Sequence, residues 1–308
     1  QPRSRGLGDV YKRQVYPCYG LAEATLLVTG GVSGGGMTAT GFDPALLAAG
    51  QVSPAEAGGK LVACGTVPGR HAVRIVDPDS LADAGDGRIG EIWVHGPSVA
   101  QGYWNRPDAT AETFLEQQGR RWLRTGDLGF FHGGQLHIAG RRKDLIIVRG
   151  HNLYPQDVER AVEAEVEAVR KGRVAAFSVQ GPQGEGIGVA AEVSRGLQKL
   201  VPPETLRDAI SQAVGVACGE PASVVVLLNP GGLPKTSSGK LQRSACRDGW
   251  RTGELDAYAV FDHGQRRDAA GAPPSAPVAL HDADAQALAT IWRCLLYTSD
   301  AADDTPCV

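Results

Sequence analysis

Residues 122–148 read WLRTGDLGFFHGGQLHIAGRRKDLIIV and contain a change from one type of structure to another. Apolar alternation predicts short strands in and around this stretch, at 122–125, 128–131, 135–139 and 145–149. The pair Gly133-Gly134 is typical of a hairpin turn. The charged run 141–144 lies between two apolar strands, which is typical of a domain boundary.

The sequence predicts a different architecture on each side of this run. Residues 15–140 are strand-rich, with further strands expected at 60–64, 71–76 and 91–95 and a short helix at 107–116. Residues 141–262 alternate strands (173–179, 187–193, 222–228) with helices (155–169, 203–217 and one from 241). The predicted fold class is therefore α/β to α+β, with a strand-rich region followed by a complete small α+β domain.

The remaining segments are distinguished by composition. Residues 30–60 are rich in Gly, Ala and Ser, which predicts an insertion or loop with one short helix. Residues 1–14 and 295–308 show no periodicity and resemble translated sequencing-adaptor sequence, so we expect the natural protein to continue beyond both. Residues 263–280 form a Pro/Ala-rich linker by composition, and 281–294 resemble the start of a further domain.

Composition excludes several classes of protein. Thirty-one basic and 34 acidic residues give a net charge of −3, which provides no global field for binding nucleic acid or an anionic membrane. No apolar run approaches the length of about 18 residues that a membrane span requires. The six cysteines are scattered, without the spacing of a metal site or a disulfide framework, so we expect a cytoplasmic protein.

Two segments resemble phosphate-binding motifs but lack their context. Residues 85–90, GDGRIG, lead into a strand instead of following one and opening a helix, so we interpret them as a hairpin turn. Residues 234–240, PKTSSGK, have proline at the first glycine position, and Leu241 follows the lysine where a P-loop has Ser or Thr. Neither segment is therefore a nucleotide-binding loop of the usual kind.

Four segments are informative together: YGLAE (19–23), RTGD (124–127), GRRKD (140–144) and PKTSSGK (234–240). In order and spacing they resemble the adenylate-forming superfamily of acyl-activating enzymes, over about residues 15–262. The resemblance implies that 15–140 are the C-terminal part of a large adenylation domain and that 141–262 are its small mobile domain. It also implies ATP as a substrate and Mg²⁺ as a cofactor.

The resemblance further implies a role for each of six residues. Lys240 would be the catalytic lysine that bridges the acyl carboxylate and the α-phosphate, and Lys143 would be the hinge between the two domains. For the nucleotide, Asp127 would accept the ribose hydroxyls, Tyr19 would stack on adenine, Arg141 would reach the ribose or phosphates, and Glu23 would hold Mg²⁺. These residue types suit the chemistry, because a two-oxygen carboxylate can accept two hydroxyls and Mg²⁺ prefers carboxylate oxygen.

Within the superfamily, residues 19–25, YGLAEAT, and the following segment 30–60 resemble the long-chain fatty acyl-AMP ligases. This family implies a fatty acid substrate and an acyl carrier protein as acceptor, in lipid, polyketide or lipopeptide biosynthesis. The insertion would restrain domain rotation, so that the acyl group goes to the carrier's phosphopantetheine thiol and not to free CoA. The alternative is that 30–60 form a tolerated loop without this role. A carrier protein as acceptor also fits residues 281–294, which resemble the start of a fused carrier domain.

Two alternative functions stay open at this point. One is a fatty acyl-CoA synthetase, and the other is a degenerate, non-catalytic module that docks a carrier protein. The chain lacks the Gly/Ser/Thr-rich loop that cradles the ATP phosphates in this superfamily. We therefore predict that residues 1–308 alone cannot catalyse adenylation, and measurable ATP–pyrophosphate exchange by this chain would contradict that prediction.

Overall fold

The computed structural model describes residues 15–181, 184–237 and 239–267. The interpretations of residues 1–14, 281–294 and 295–308, and of the linker beyond residue 267, lie outside these described residues. In the described part of the chain, no helix combines the length and apolar character needed to cross a membrane.

The strand-rich region consists of three separate antiparallel sheets and two short helices. Its elements are β1 (Cys18–Tyr19), β2 (Thr29–Gly30), β3 (Ala39–Phe42), α1 (Pro44–Ala48), β4 (Gly59–Val62), β5 (Ala72–Val76), β6 (Gly90–His95), α2 (Pro107–Thr113), β7 (Phe114–Gln117), β8 (Arg120–His132) and β9 (Gln135–Arg141). Strand β1 pairs with β2, and β3 pairs with β4. The largest sheet has the order β5-β6-β8-β7, and β9 also pairs with β8.

The second region is a mixed sheet with helices on it, preceded by a short hairpin. Its elements are β10 (Ile146–Val148), β11 (His151–Leu153), α3 (Pro155–Glu165), β12 (Val169–Gly181), β13 (Gly184–Val193), α4 (Arg195–Leu200), α5 (Pro203–Cys218), β14 (Val224–Leu228), α6 (Arg243–Thr252), β15 (Ala257–Asp262) and β16 (Gln265–Arg267). Strands β12 to β16 are neighbours in sequence order, and only the β13–β14 pair is parallel.

Helices cover both faces of this second sheet. Successive side chains of a strand point to opposite faces, so Val225 packs in one core with Val158 of α3 and Ile210 of α5. Its neighbour Val226 packs in the other core with Cys246 of α6. A strand that is buried on both faces needs no polar alternation, which explains the continuous apolar run VVVLL of β14.

The structure agrees with most of the predicted elements and differs at identifiable places. Segment 85–90 is a turn between the antiparallel strands β5 and β6, as predicted, with Gly85 and Gly87 at φ +80° and +71°. The strands predicted at 122–125 and 128–131 are one strand, β8, because the residues between them form a bulge and not a turn. The predicted helix 155–169 ends at Glu165, and Val169 already pairs with Val193 in the sheet.

Several elements were not predicted, among them four strands. The insertion 30–60 contains the expected short helix, α1, but also β3 and the start of β4. The helix predicted at 107–116 ends at Thr113, and β7 begins at the next residue. The segment after residue 252, which lacks clear periodicity, contributes β15 and β16 to the second sheet.

Candidate functional site

Asp127 is the centre of the candidate site and is held by two other predicted site residues. The Tyr19 hydroxyl donates a hydrogen bond to Asp127 Oδ2 at 2.8 Å, and Arg141 Nε donates to Oδ1 at 3.0 Å. Burial raises the pKa of Tyr19, and the charge of Asp127 raises it further, so the hydroxyl remains protonated and donates. The hydrogen bond and the charge of Asp127 likewise raise the pKa of Arg141. Each carboxylate oxygen thus keeps an acceptor position beyond these two bonds.

The backbone around Asp127 is a bulge in β8. Trp93 pairs with Arg124 and Glu91 with Leu128, so three residues of β8, 125–127, lie opposite the single residue Ile92 of β6. A bulge of this kind redirects side chains at the edge of a site. Gly126 has φ +72°, a left-handed conformation that glycine adopts without steric cost.

Side chains within the bulge fix its shape. Thr125 Oγ1 donates to the carbonyl oxygen of Ile92 at 2.7 Å and accepts from the Asp127 backbone N–H at 3.1 Å. Asp127 also lies opposite Arg141 of β9 in the strand pairing. The order Thr-Gly-Asp in the sequence therefore corresponds to a bulge with a specific role for each residue.

Glu23 lies in a short 3-10 turn, Ala22–Ala24, and is hydrogen-bonded to a residue that the sequence reasoning did not select. The Tyr103 hydroxyl donates to Glu23 Oε1 at 2.8 Å. Burial, with the hydrogen bond to Glu23, raises the pKa of Tyr103. The described residues contain no cluster of three or more His, Cys, Asp or Glu side chains able to hold a metal. Glu23 nevertheless fits Mg²⁺, which binds through one or two carboxylates together with substrate phosphates.

A cleft of about 320 Å³ lies beside these residues. It is bounded by Leu21, Glu23, Glu91, Tyr103, Glu112, Thr113, Leu123, Arg124, Thr125, Gly126, Arg141, Arg142 and Lys143. Three of the six predicted site residues, Glu23, Arg141 and Lys143, therefore border one cleft. Asp127 is connected to it through Arg141, and Tyr19 packs in the core beneath with Ile92 and Leu136.

Lys240 is not among the residues that border the cleft. It is exposed in a hairpin-like loop, in which its backbone N–H donates to Thr236 Oγ1 at 3.0 Å and its carbonyl accepts from the Thr236 N–H at 2.8 Å. The neighbouring Lys235 donates through Nζ to the carbonyl of Gly172 at 3.1 Å, which fastens the base of the loop to β12. The structure thus brings five of the six predicted residues into one region and leaves the sixth on a separate loop.

Lys143 is exposed in the 3-10 turn Arg142–Asp144, between the last strand of the first region and the first strand of the second. Next to it, Asp144 accepts a hydrogen bond from Arg243 Nη1 of α6 at 3.1 Å. Arg243 also donates to both oxygens of Glu159 on α3, at 2.7 and 2.8 Å. Asp144, the residue after the predicted hinge, is therefore bound to helices α3 and α6 of the second region through a network of charged groups.

Comparison with known proteins identifies the family of the chain. Residues 4–104 match the model of the family described as AMP-binding enzyme. The chain belongs to the AMP-binding enzyme family. It is 42% identical over 254 residues to the medium-chain-fatty-acid–[acyl-carrier-protein] ligase JamA of Moorena producens, covering 79% of this chain and 43% of that protein.

Two further similarities concern other acceptors and the fold. A protein of Mycobacterium leprae named as a fatty-acid–CoA ligase is 39% identical over 252 residues, covering 76% of this chain and 42% of its own length. A solved structure from work on fatty acyl-adenylate ligases of E. coli and L. pneumophila has a TM-score of 0.67 and 29% identity, covering 78% and 42%. The chain thus spans about two fifths of the length of the relatives it matches.

Proposed function

We propose that the full-length protein activates a fatty acid with ATP and passes the acyl group to an acyl carrier protein. The observation that carries this proposal is Asp127, which is held between Tyr19 and the cleft-bordering Arg141 with one acceptor position left on each oxygen. A pair of ribose hydroxyls would bind there. The similarity to JamA, a ligase named for an acyl-carrier-protein acceptor, supports the choice of substrate and partner.

The charges around the cleft suit an adenylation reaction. The fatty acid carboxylate attacks the α-phosphate of ATP, pyrophosphate leaves, and negative charge accumulates between groups that repel each other. Arg141, Arg142 and Lys143 place cationic groups along one side of the cleft, and Glu23 lies on its border. When bound, Mg²⁺ would supply Lewis-acid stabilisation of phosphate oxygens, and Glu23 would hold it.

Lys240 has a role in this proposal that requires a movement of its loop. Its exposed position lets the loop reach a substrate carboxylate and phosphate if the second region turns about Lys143. A compact, strongly hydrated ammonium on a flexible stem is suited to neutralise both groups in the transition state. Residues 15–140 and 141–262 are then the two parts that move relative to each other.

The insertion favours a carrier protein over CoA as the acceptor. Its helix α1 contacts the hairpin strand β11, and together they border a groove of about 750 Å³ with residues of α3 and α5. A contact between the insertion and the second region would resist rotation about Lys143. The second candidate is a fatty acyl-CoA synthetase, which the M. leprae relative favours.

Kinetics of the full-length protein test the assignment of Lys240. Lys240→Ala should lower the rate of adenylation by roughly 10²–10³-fold, because one preorganised charge contributes about that much to the transition state. Pyrophosphate release with fatty acid and ATP is the measurement, and Lys199→Ala, on the exposed face of α4, is the matched control that should keep the rate. An unchanged rate for Lys240→Ala would refute its catalytic role, and absence of activity in the unmodified protein would favour a non-catalytic docking module.

Acceptor choice is tested separately from adenylation. The full-length protein should acylate a phosphopantetheinylated carrier protein and form scarcely any acyl-CoA under the same conditions. Rapid acyl-CoA formation would transfer the assignment to the second candidate without affecting the proposed nucleotide site.

A further inference from the structure

Glu91 is a charged residue in the interior of a strand whose neighbours are apolar. It belongs to β6, its exposed fraction is 2%, and Ile92, Trp93 and Val94 beside it are fully buried. An ionised carboxylate in such surroundings is strongly unfavourable unless hydrogen bonds and a countercharge compensate for its lost hydration. Glu91 is not among the six residues that the family resemblance selects.

The partners of Glu91 are all donors, and they come from two strands. Its Oε2 accepts from Trp93 Nε1 at 3.1 Å and from Arg124 Nε and Nη2 at 3.2 and 3.0 Å. Its Oε1 accepts from the backbone N–H of Gly126 at 3.2 Å. One carboxylate therefore contacts the residue that precedes the bulge and the glycine at its centre.

These contacts set the shape of the bulge. Arg124 is the last paired residue before the bulge, and Gly126 has the left-handed backbone that turns the chain. The carboxylate fixes both, while Thr125 is bonded to Ile92 on the opposite strand. Asp127 follows immediately, so its position depends on how residues 124–126 are held.

We propose that Glu91 is a positioning residue, whose buried carboxylate holds the Arg124–Gly126 backbone so that Asp127 meets the ribose of the bound nucleotide. This inference rests on the proposed nucleotide site. It assigns to Glu91 no contact with the substrate, since its effect is transmitted through Arg124 and the Gly126 amide.

The charge of Glu91 contributes to this role. Arg124 is only 21% exposed, so a nearby anion compensates for the lost hydration of its charge, and its guanidinium also lies 5.7 Å from the centre of the Trp93 ring. A glutamine at position 91 has one acceptor oxygen and an NH₂ group that would face donors. It cannot accept hydrogen bonds from Arg124, Trp93 and the Gly126 N–H together, so the bulge would lose part of its fixed shape.

Ribose discrimination in the full-length protein tests the proposal. The dissociation constants of AMP and 2′,3′-dideoxy-AMP are measured by calorimetry, and their ratio reports the contacts to the ribose hydroxyls. We expect Glu91→Gln to weaken AMP about tenfold and to leave dideoxy-AMP nearly unchanged, because a hydrogen bond to a charged group contributes about that factor. Glu116→Gln, on the exposed part of β7, is the matched control and should keep the ratio of the unmodified protein.

Two further variants make each outcome decisive. Asp127→Asn should abolish the discrimination; if it does not, or if the unmodified protein shows none, the proposed nucleotide site is wrong. If Asp127→Asn abolishes it and a folded Glu91→Gln retains it, the role of Glu91 is wrong and the site stands.

Glu91→Asp keeps the charge beside Arg124 but is one methylene shorter, so it should fold and lose part of the discrimination. A native ratio in Glu91→Asp combined with an unfolded Glu91→Gln would show that Glu91 only stabilises the fold.

Discussion

The two regions of this protein each contain a glutamate–arginine pair, and the pairs are built differently. In the largest sheet of the first region, one oxygen of Glu91 accepts from two nitrogens of Arg124, and the other accepts from the Gly126 amide. In the second region, Glu159 binds Arg243 through both of its oxygens, at 2.7 and 2.8 Å. The first pair therefore holds a bulge of β8, and the second makes the bidentate contact that is the stronger of the two geometries.

The second pair also connects more of the structure. Glu159 Oε1 accepts from the Ala176 N–H of β12 at 3.0 Å, and Arg243 reaches Asp144 beside the predicted hinge. Helices α3 and α6, which lie on opposite faces of the sheet, and the segment entering the second region are thus held at one point. The comparison indicates that one charge pair holds a bulge of β8 in the first region, whereas the other attaches two helices to each other in the second.

The largest expected effect is on the stability of the second region. Arg243→Met should lower the free energy of unfolding by about 3–5 kcal/mol, because it leaves the buried Glu159 and the half-buried Asp144 without their countercharge. Chemical denaturation of the chain measures this. The ratio of AMP to dideoxy-AMP affinity in the full-length protein should not change.

Arg160→Met is the matched control for that variant. Arg160 also pairs with an acid, Asp157 at 3.1 Å, but it is 70% exposed, and exposed pairs contribute about 0–1 kcal/mol. A loss of ribose discrimination in Arg243→Met would remove the distinction between the two pairs. A stability change as small as that of Arg160→Met would show that the network is not structural.

Asp144→Asn should have a smaller effect and sharpens the comparison further. The substitution removes one charged partner of Arg243 and leaves the bidentate contact with Glu159, so we expect a loss of about 0.5–1.5 kcal/mol. Comparing the free energies of unfolding of this variant and of Arg243→Met measures how much the contact between Asp144 and Arg243 contributes to stability. A loss equal to that of Arg243→Met would mean that Asp144, and not Glu159, is the main partner of the guanidinium.

How far the sequence predicts this structure depends on how local the responsible interaction is. Strands β5 and β6 were predicted to within a residue at each end, because alternation is a property of neighbouring residues. The single strand β8 was divided in two, because Gly126 indicates a turn in sequence and only the partner strands show that it belongs to a bulge. Strand β15 was missed because its membership of the sheet depends on pairing with β14.

The candidate site shows the same limit. Motif resemblance selected Asp127 and Arg141, which the structure joins, and Tyr19, which it bonds to Asp127. Glu91 was missed because its partner Arg124 is 33 residues away and no short motif contains both. The available signal was a lone carboxylate within the apolar run of β6, a position where a charged residue requires a partner. The role of Lys240 stays a prediction.

The first region also contains a buried histidine, His137. His137 of β9 is 1% exposed, its ring stacks on Phe130 with centroids 5.3 Å apart, and the ring of Phe42 lies in a T-shaped arrangement with it at a centroid distance of 5.4 Å. Its Nδ1 lies 3.2 Å from the carbonyl oxygen of Gln135, and its buried Nε2 has no hydrogen-bond partner among the described residues. Burial lowers the pKa of His137 below its ordinary value of 6.5, so the native state contains the neutral ring.

This burial predicts a loss of stability on mild acidification. The unfolded chain binds a proton near its ordinary pKa of about 6.5, whereas folded His137 binds one only at lower pH. The stabilisation is therefore complete above about pH 6.5 and is lost as pH falls toward and through the lower folded pKa, by at most about 1.4 kcal/mol per pH unit. Denaturation midpoints of the chain between pH 7 and 5 measure the slope.

His137→Phe should reduce that slope, because phenylalanine fits an aromatic cluster and has no proton to bind. His151→Asn, at an exposed position in β11, is the control and should keep the slope. Phe42 belongs to β3 within the insertion, so protonation of His137 would weaken a contact that attaches the insertion to the first sheet. If His137→Phe leaves the dependence of stability on pH unchanged, other groups cause the loss of stability in acid. The insertion would then be anchored by contacts that do not depend on pH.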